Sequence, residues 1–405
     1  MKSQEKYFSK YVKLLRLSNR YPAIYTIDGP SSLPMVLIGD KEFLNFSSNN
    51  YLGLADNEKI KNIVIENIKK YGVGSGSTRM LSGTLDVQVA FEKLLGEFLG
   101  KDDSITFSSG FLANVGVIRM LIDAFPYEKS KETQGVILSD ELNHASIIDG
   151  VRLAKAERAI YRHSDMGDLE RILKEHGSKR KLIITDGVFS MDGDLAKLKE
   201  IVVLAKKYDA LVMVDDSHAV GMLGPHGEGT SHHLGVEKDI DVIMGSFTKA
   251  YGSIGGFIAA SQTMCDYLRI TARSYIFSDP IIPSVVAGLI EATHIIKASD
   301  NLRKQTLSNA HYLRTKLRAL GFAVVGEETT IVPLIIGSDK NAIIFSKRLY
   351  EKNIIAPCIR VPAVLEGKER MRFSIMATHT REQIDLLLQA CAAIGRDMGI
   401  IMYNG

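Results

Sequence analysis

The sequence predicts an α/β protein: a mainly parallel central sheet with helices on both faces, followed by a smaller α+β domain. Three observations carry this. Between residues 104 and 261, short apolar segments rich in valine and isoleucine recur: "SITFSS", "GVILSD", "RAIYRH", "KLIITDG", "ALVMVDD", "VIMGSF" and "GGFIAAS". Continuous apolar runs of this length suit strands buried on both faces. Most are separated by helix-like stretches, and strand–helix alternation builds a parallel sheet. From about residue 295 the pattern changes, which marks the second domain.

Taken in order, the chain opens with "MKSQEKYFSKYVKLLRLSNRYP", where lysines interrupt the apolar residues. That pattern reads as an amphipathic helix and not as a signal peptide. Residues 1–55 are expected to form this helix and an extension, residues 56–294 the large domain, and residues 295–405 the small one. The loop "GVGSGSTRMLSGT" looks like a phosphate cradle but lacks the lysine of a P-loop and follows no clear strand, so it is read as a flexible wall or lid. Leu195, Leu198, Val202 and Ala205 share one helical face, predicting a helix that begins after Asp194. Past residue 295 come a long polar helix, the strand "TIVPLIIG", a helix through Phe345 to Tyr350 and the strand "RMRFSIMA". The last helix opens with Thr380 and Gln383 at capping-box spacing, and Ile384, Leu387, Leu388, Cys391 and Ile394 fall on one face.

Composition narrows the function. The chain has 405 residues, enough to enclose a buried site, and its 50 Lys and Arg against 47 Asp and Glu leave a formal charge of +3. No long basic run offers a footprint for nucleic acid. No apolar run approaches the ~18 residues of a membrane span. Cys265, Cys358 and Cys391 are far apart and form no CxxC, which argues against a disulfide framework or zinc knuckle and suits a reducing, cytoplasmic setting.

In an open parallel sheet, ligands sit at the carboxyl ends of the strands, so the polar residues just past each apolar run are the candidates. They are Ser108, Ser109, Gly110 and Phe111 after the first run, Asn143 and His144 after the second, Ser190 after "LIITDGVF", Asp215, Asp216, Ser217 and His218 after "LVMV", and Ser246, Thr248 and Lys249 after "VIMG". Pyridoxal phosphate asks for this set. Its aldehyde needs a lysine, its ring nitrogen a carboxylate, and its phosphate a helix N-terminus with hydroxyls. Lys249 answers the aldehyde, Asp215 the ring nitrogen and His218 the phenolic oxygen; Gly110, Ser109, Ser246 and Thr248 suit the phosphate, and His144 can stack on the ring. The rival reading is a divalent metal held by Asp215, Asp216, His218, His226, His232 and His233, but their spacing matches no metal motif and no metal is expected. His163, His176, His311 and His379 read as ordinary surface or packing histidines.

The motifs "NNYLGLA", "GSGSTRMLSGT", "SSGFLANVG", "LNHASIIDG", "TDGVFSMDGD", "VMVDDSHAVG", "GSFTKAYGSIGG" and "ERMRFSIMATHT" give the chain, over nearly its whole length, a resemblance to the α-oxoamine synthases. These are the acyl-CoA-using branch of fold-type-I pyridoxal phosphate transferases. The resemblance implies condensation of a small amino acid with an acyl-CoA thioester, with Lys249, Asp215, His218 and His144 in the roles above. It further assigns Gly110 and Phe111 to the phosphate side, Ser190 to the cofactor, Arg372 to the amino acid carboxylate and Asn50 to substrate. It implies a homodimer with shared active sites, in which Ser278 reaches the phosphate from the partner subunit. There the chain departs from the family, placing Asp279 beside Ser278; either Asp279 points away or the contact is lost, since a carboxylate repels a phosphate.

For substrate the likenesses diverge. "SDELNHASIIDGVRL" and "KYDALVMVDDSHAVG" resemble glycine C-acetyltransferases, "RYP" and "IRVPAV" resemble 8-amino-7-oxononanoate synthases, and "SFTKAYGSIGGF" and "MATHT" resemble serine palmitoyltransferases. Glycine is the expected amino acid, with alanine and serine as alternatives. Ser18 stands where such oxononanoate synthases carry an arginine for the acyl chain, and Ala363 where they carry a threonine. An aminotransferase or a catalytically silent partner subunit is the rival class.

Overall fold

The computed structural model describes residues 2–18, 20–123 and 135–402. Near the start, β1 (Met35–Ile38) and β2 (Lys41–Asn45) pair antiparallel. The seven apolar segments then form β3 (Asp103–Phe107), β4 (Val136–Asp140), β5 (Glu157–Tyr161), β6 (Lys181–Asp186), β7 (Ala210–Asp215), β8 (Val242–Ser246) and β9 (Gly256–Ala260). All join one sheet in the order β3-β9-β8-β7-β6-β4-β5. β4 pairs parallel with β5 and β6, β6 with β7, and β7 with β8, while β9 runs antiparallel to both β3 and β8. The carboxyl ends of β3, β4, β6, β7 and β8 therefore open on the same side.

Alternation along the strands supplies two cores. Ile183, Val212 and Val214 face a cluster that takes in the helices Asp86–Phe98, Leu198–Tyr208 and Pro283–Ala298. Leu182, Ile184 and Met213 face the other, with the helices Gly110–Ile122, Ala145–Leu153 and Gln262–Thr271. Burial on both faces explains why the inner strands read as unbroken apolar runs, whereas β5, at the sheet edge, is fully buried only at Tyr161.

The C-terminal region adds β10 (Ile331–Ile335), β11 (Ile354–Ile355), β12 (Cys358–Ile359) and β13 (Arg370–Ser374). β10, β13 and β12 form an antiparallel sheet, and β11 joins β2 in parallel. Leu44 and Phe46 accordingly lie in the same core as Phe345, Phe373 and Ile384. The last helix, Arg381–Asp397, carries the full capping box between Thr380 and Gln383, and Cys391 is buried on its inner face.

Two local expectations change, and a third is met with a qualification. The helix expected after Asp194 starts at Leu198 instead, because Leu195 bridges to Val188 and the Ala196 N–H donates to the Gly187 carbonyl, folding residues 187–196 into a loop. The glycine-rich segment after Tyr71 is not free along its length. Arg79 is buried and forks onto Glu92 at 2.7 and 2.9 Å, and Glu92 also accepts from the Thr106 backbone N–H and hydroxyl. The N-terminal helix forms over Ser3–Leu17, yet none of its residues is buried and Tyr7, Phe8, Tyr11, Leu14 and Leu17 are exposed.

Arg79→Met removes one half of a buried bidentate pair and leaves the Glu92 carboxylate without its counter-charge. We expect a loss of about 3–5 kcal/mol in chemical denaturation. A loss below ~1 kcal/mol would show that the pair does not anchor the loop.

Candidate active site

At the carboxyl ends of the strands lies a cavity of about 200 Å³. Ser109, Gly110 and Phe111 enter it after β3, His144 and Ser146 after β4, Asp186 and Ser190 from β6, Asp215, Ser217 and His218 from β7, and Met244, Ser246, Thr248 and Lys249 from β8. A larger cavity, about 820 Å³, lies at the amino ends of β6 and β7. Its lysines Lys179, Lys206 and Lys207 are paired with Glu157, Asp239 and Glu170, and it sits at the wrong end of the strands for ligand chemistry in this type of sheet.

One end of the site is built for an anion. Ser109 caps the helix Gly110–Ile122, its Oγ accepting from the Leu112 N–H at 3.2 Å, so the first N–H groups of that helix and its positive end face the cavity. The Ser246 and Thr248 hydroxyls lie 2.8 Å apart beside it. Glycine is required here by space: a Cβ on Gly256 would stand 2.5 Å from Gly110 Cα, and one on Gly110 would stand 3.0 Å from Met244 Cε.

The opposite end is a buried carboxylate. Asp215 Oδ2 accepts from Asn114 Nδ2 at 2.7 Å, and Oδ1 accepts from the Ser217 hydroxyl at 2.6 Å and N–H at 3.1 Å. The second amide proton of Asn114 goes to Ser146 Oγ at 2.9 Å, and that hydroxyl meets His144 Nδ1 at 2.7 Å. Asn114 therefore aligns the carboxylate and, through Ser146, fixes the His144 ring. Asp186 stands opposite Asp215 in the β6–β7 register and accepts from the His144 N–H. Burial, reinforced by the charge of Asp215, raises its pKa well above the usual carboxylate range, so its protonated form is favoured.

Between these ends lies the amine. Lys249 donates to Thr248 Oγ1 at 3.2 Å, and its pKa is lowered by burial first and by the charge of Arg372 second, with Asp215 pulling the other way. A lysine held this way has more free amine at a given pH than an exposed one. The pKa of His218 is pushed well down by burial first and then by the charges of Lys249 and Arg372, which favours the neutral ring, and its Nδ1 is 2.7 Å from the Tyr51 hydroxyl.

Ten residues given a role at the site from sequence line this cavity, and three do not. Asn50 is buried, its amide donating to the Ser32 carbonyl and its oxygen accepting from the Ala55 N–H. The Ser278 hydroxyl lies 3.3 Å from Ser108 Oγ of its own chain, and Asp279 is exposed. Arg372 is buried on β13, its Nε donating to the Ser190 carbonyl and its Nη1 to Asn49 Oδ1 at 3.1 Å and Ser374 Oγ at 2.8 Å. The residues of the rival metal cluster have separate partners: Asp216 holds the Thr230 N–H and hydroxyl, His218 meets Tyr51, and His233 lies 3.4 Å from Glu328. Sequence reading missed Tyr51, Asn114, Ser146 and Asp186; Ser217 stood among the polar residues after "LVMV" but was given no role. Asp186 carried the same signal as Asp215, the last residue of an apolar run, and Asn114 was the one amide in the apolar stretch "GFLANVGVIRMLI".

A desolvated amine, a fixed carboxylate and a hydroxyl-rich helix N-terminus that only glycine can shape fit the aldehyde, ring nitrogen and phosphate of pyridoxal phosphate. On this sheet, that set defines a fold-type-I pyridoxal phosphate enzyme. Residues 41–391 match the family described as aminotransferase class I and II. The chain is 44% identical to 8-amino-7-oxononanoate synthase of Thermoanaerobacter pseudethanolicus over 96% of each chain, and 46% identical to that of Lysinibacillus sphaericus over 90% of this chain and 92% of the relative. A solved structure of serine palmitoyltransferase from S. paucimobilis, with a bound PLP–myriocin aldimine, superposes with a TM-score of 0.92 at 30% identity over 99% of this chain and 100% of that chain. The chain belongs to the class I and II aminotransferase family and, within it, to the α-oxoamine synthases. Its cofactor is pyridoxal phosphate and its reaction class is the condensation of an amino acid with an acyl thioester.

Because the charge of Arg372 helps to hold the Lys249 pKa down, Arg372→Gln should raise it. We expect the pH dependence of Lys249 labelling by an amine-reactive reagent, followed by mass spectrometry on the apoprotein, to move to higher pH. An unmoved or lower midpoint would contradict this coupling.

Proposed function

We propose that this chain joins alanine to a seven-carbon dicarboxylic acyl-CoA at the Lys249 cavity, forming 8-amino-7-oxononanoate. The observation that carries the reaction is the meeting, in one cavity, of the desolvated Lys249 amine and the Asp215 carboxylate, with the buried Arg372 guanidinium near enough to lower the lysine's pKa. The name shared by relatives at 38–46% identity supports the substrates and moves the amino acid from glycine to alanine. The carbon count agrees: alanine, after losing its carboxylate, supplies two of the nine carbons and the acyl group supplies seven.

Pyridoxal phosphate, when bound, supplies an aldehyde that takes up the amino acid nitrogen and a cationic ring that accepts the electrons released at Cα. The residues do the rest. Lys249, as free amine, receives the α-proton, and Asp215 keeps a proton on the ring nitrogen. His144 would lie against the ring, and Ser190 would contact the cofactor. His218, neutral and with Nδ1 engaged by Tyr51, would use its other nitrogen on the phenolic oxygen. The Gly110 helix start, with Ser109, Ser246 and Thr248, would hold the phosphate. Arg372, braced by Ser190, Asn49 and Ser374, would receive the amino acid carboxylate by the charge of its guanidinium. Asn50 would act on substrate only through the turn that it braces.

A second reading, glycine with a two-carbon acyl-CoA, is favoured by Ser18. Its hydroxyl turns back onto the Leu14 and Leu15 carbonyls, and it offers no cation to a distal carboxylate. We also read the enzyme as a cytoplasmic homodimer with shared sites. The exposed apolar residues of the N-terminal helix, with Val73, Leu81 and Phe277, support a subunit contact, and among the described residues no helix is long and apolar enough to cross a membrane. In such a dimer Ser278 would approach the partner's phosphate.

The test is release of coenzyme A from pimeloyl-, acetyl- and palmitoyl-CoA, each with alanine, glycine and serine. Alanine with pimeloyl-CoA should be fastest, and Lys249→Ala should lower that rate roughly 10²–10⁴-fold. Fastest release from glycine and acetyl-CoA would select the second reading, and no release from any pair would overturn both.

A further inference from the structure

The loop 187–196 is gripped at two places. Its tip is held by the C-terminal region: Arg372 Nε donates to the Ser190 carbonyl, Arg370 Nη1 to the Met191 carbonyl at 2.9 Å and Asp192 Oδ1 at 2.6 Å, and the Thr329 hydroxyl to the Gly193 carbonyl at 2.9 Å. Its far end is held by His163, just past β5. His163 Nδ1 lies 3.0 Å from Asp140 Oδ1, and Nε2 lies 2.9 Å from Asp194 Oδ2. The ring meets Phe189, in the same loop, edge-on at 4.5 Å between centroids.

A neutral imidazole has one N–H and can donate to one carboxylate, so a ring with a carboxylate on each nitrogen needs both protons. The other bonds agree. Asp140 is buried and also accepts from the Leu142 and Ser164 N–H groups, while Asp194 Oδ1 is buried and has no hydrogen-bond partner among the described residues. Glu141 faces the histidine from the backbone side, accepting its N–H at 2.8 Å. Burial works against a charged ring, but the hydrogen bonds and charges of Asp140 and Asp194 outweigh it and push the pKa up to about 10. His163 is thus a charged strut, which corrects its reading as an ordinary histidine.

We propose that His163 is a positioning residue: as an imidazolium bridging Asp140 and Asp194, it fixes the loop 187–196 and so sets the Ser190 carbonyl against which Arg372 is braced. The link to substrate rests on the reading of Arg372 as the receiver of the amino acid carboxylate. The reach is through one short loop, and the sheet end supplies the fixed point. His163 itself does not line the cavity.

The experiment compares wild type, His163→Gln, Asp194→Asn and the double variant as holoenzymes, with hydrogen exchange measured on the apoproteins. His163→Gln should raise the amino acid KM roughly tenfold, with kcat and the acyl-CoA KM changed by less than about threefold. Amides of residues 187–196 should exchange faster while the rest of the sheet does not. The double variant should be no worse than His163→Gln, since both remove one bridge. Folded His163→Gln with wild-type KM and wild-type exchange in the loop would overturn the proposal. If that variant does not fold, Asp194→Asn keeps the pair with Asp140 and is judged by the same two readouts. Arg372→Gln separates the two ideas: an unchanged amino acid KM there would sink the role given to Arg372, and the strut would then stand or fall on the exchange data alone.

Discussion

A carboxylate buried at the end of β7 is the constraint around which the site is organised. Asp215 stands 4% exposed, and isolated charge at such depth is costly, so every oxygen must find donors. Asn114 and Ser217 supply them, and both are positioned by backbone that the sheet and the following helix fix. A second carboxyl, Asp186, sits across the β6–β7 register, and two neighbouring buried carboxyls do not both ionise cheaply. The raised pKa of Asp186 favours its protonated form, which relieves Asp215 of a like charge across the register; under the proposed function a cationic ring nitrogen would pair with Asp215. Carboxyls end β4, β6 and β7 alike, and each is answered differently: His163 at Asp140, protonation at Asp186, Asn114 and Ser217 at Asp215.

The same economy governs the positive groups. Lys249 and Arg372 lie close enough that the guanidinium helps to lower the amine's pKa, and both act on His218, whose neutral ring they favour. The arginine comes from β13, outside the large sheet. Its place depends on contacts that lock the C-terminal region to the sheet: Ala377 N–H to the Tyr51 carbonyl, the Thr306 hydroxyl to the same carbonyl, and Arg370 to the loop after β6. Tyr51 is thus both a junction between regions and the partner of His218, so packing and electrostatics at the site are not separable.

How much of this was legible in the sequence follows from the range of each interaction. The strands were legible because burial on both faces leaves an unbroken apolar run, and Thr380 with Gln383 was legible because a capping box is local. Lys249, Asp215, His218 and His144 fell at strand ends, where topology alone brings them together. Asn114 and Tyr51 were not found, because their partners lie 101 and 167 residues away and no local pattern marks a hydrogen bond across that span. The start of the helix at Leu198 was misplaced for a related reason: the bridge from Leu195 to Val188 overrides helical spacing. Likewise, Leu44 and Phe46 gave no sign that they belong to a core built mainly from the C-terminal region.

The most direct test is the affinity of the apoprotein for pyridoxal phosphate in Asp215→Asn, measured by calorimetric titration beside the wild type. Asparagine keeps the shape and the contact with Asn114 but removes the charge proposed to hold a protonated ring. A loss of roughly 2–5 kcal/mol in binding is expected for breaking a buried charge pair. Binding within a few tenths of a kcal/mol of the wild type would contradict the account.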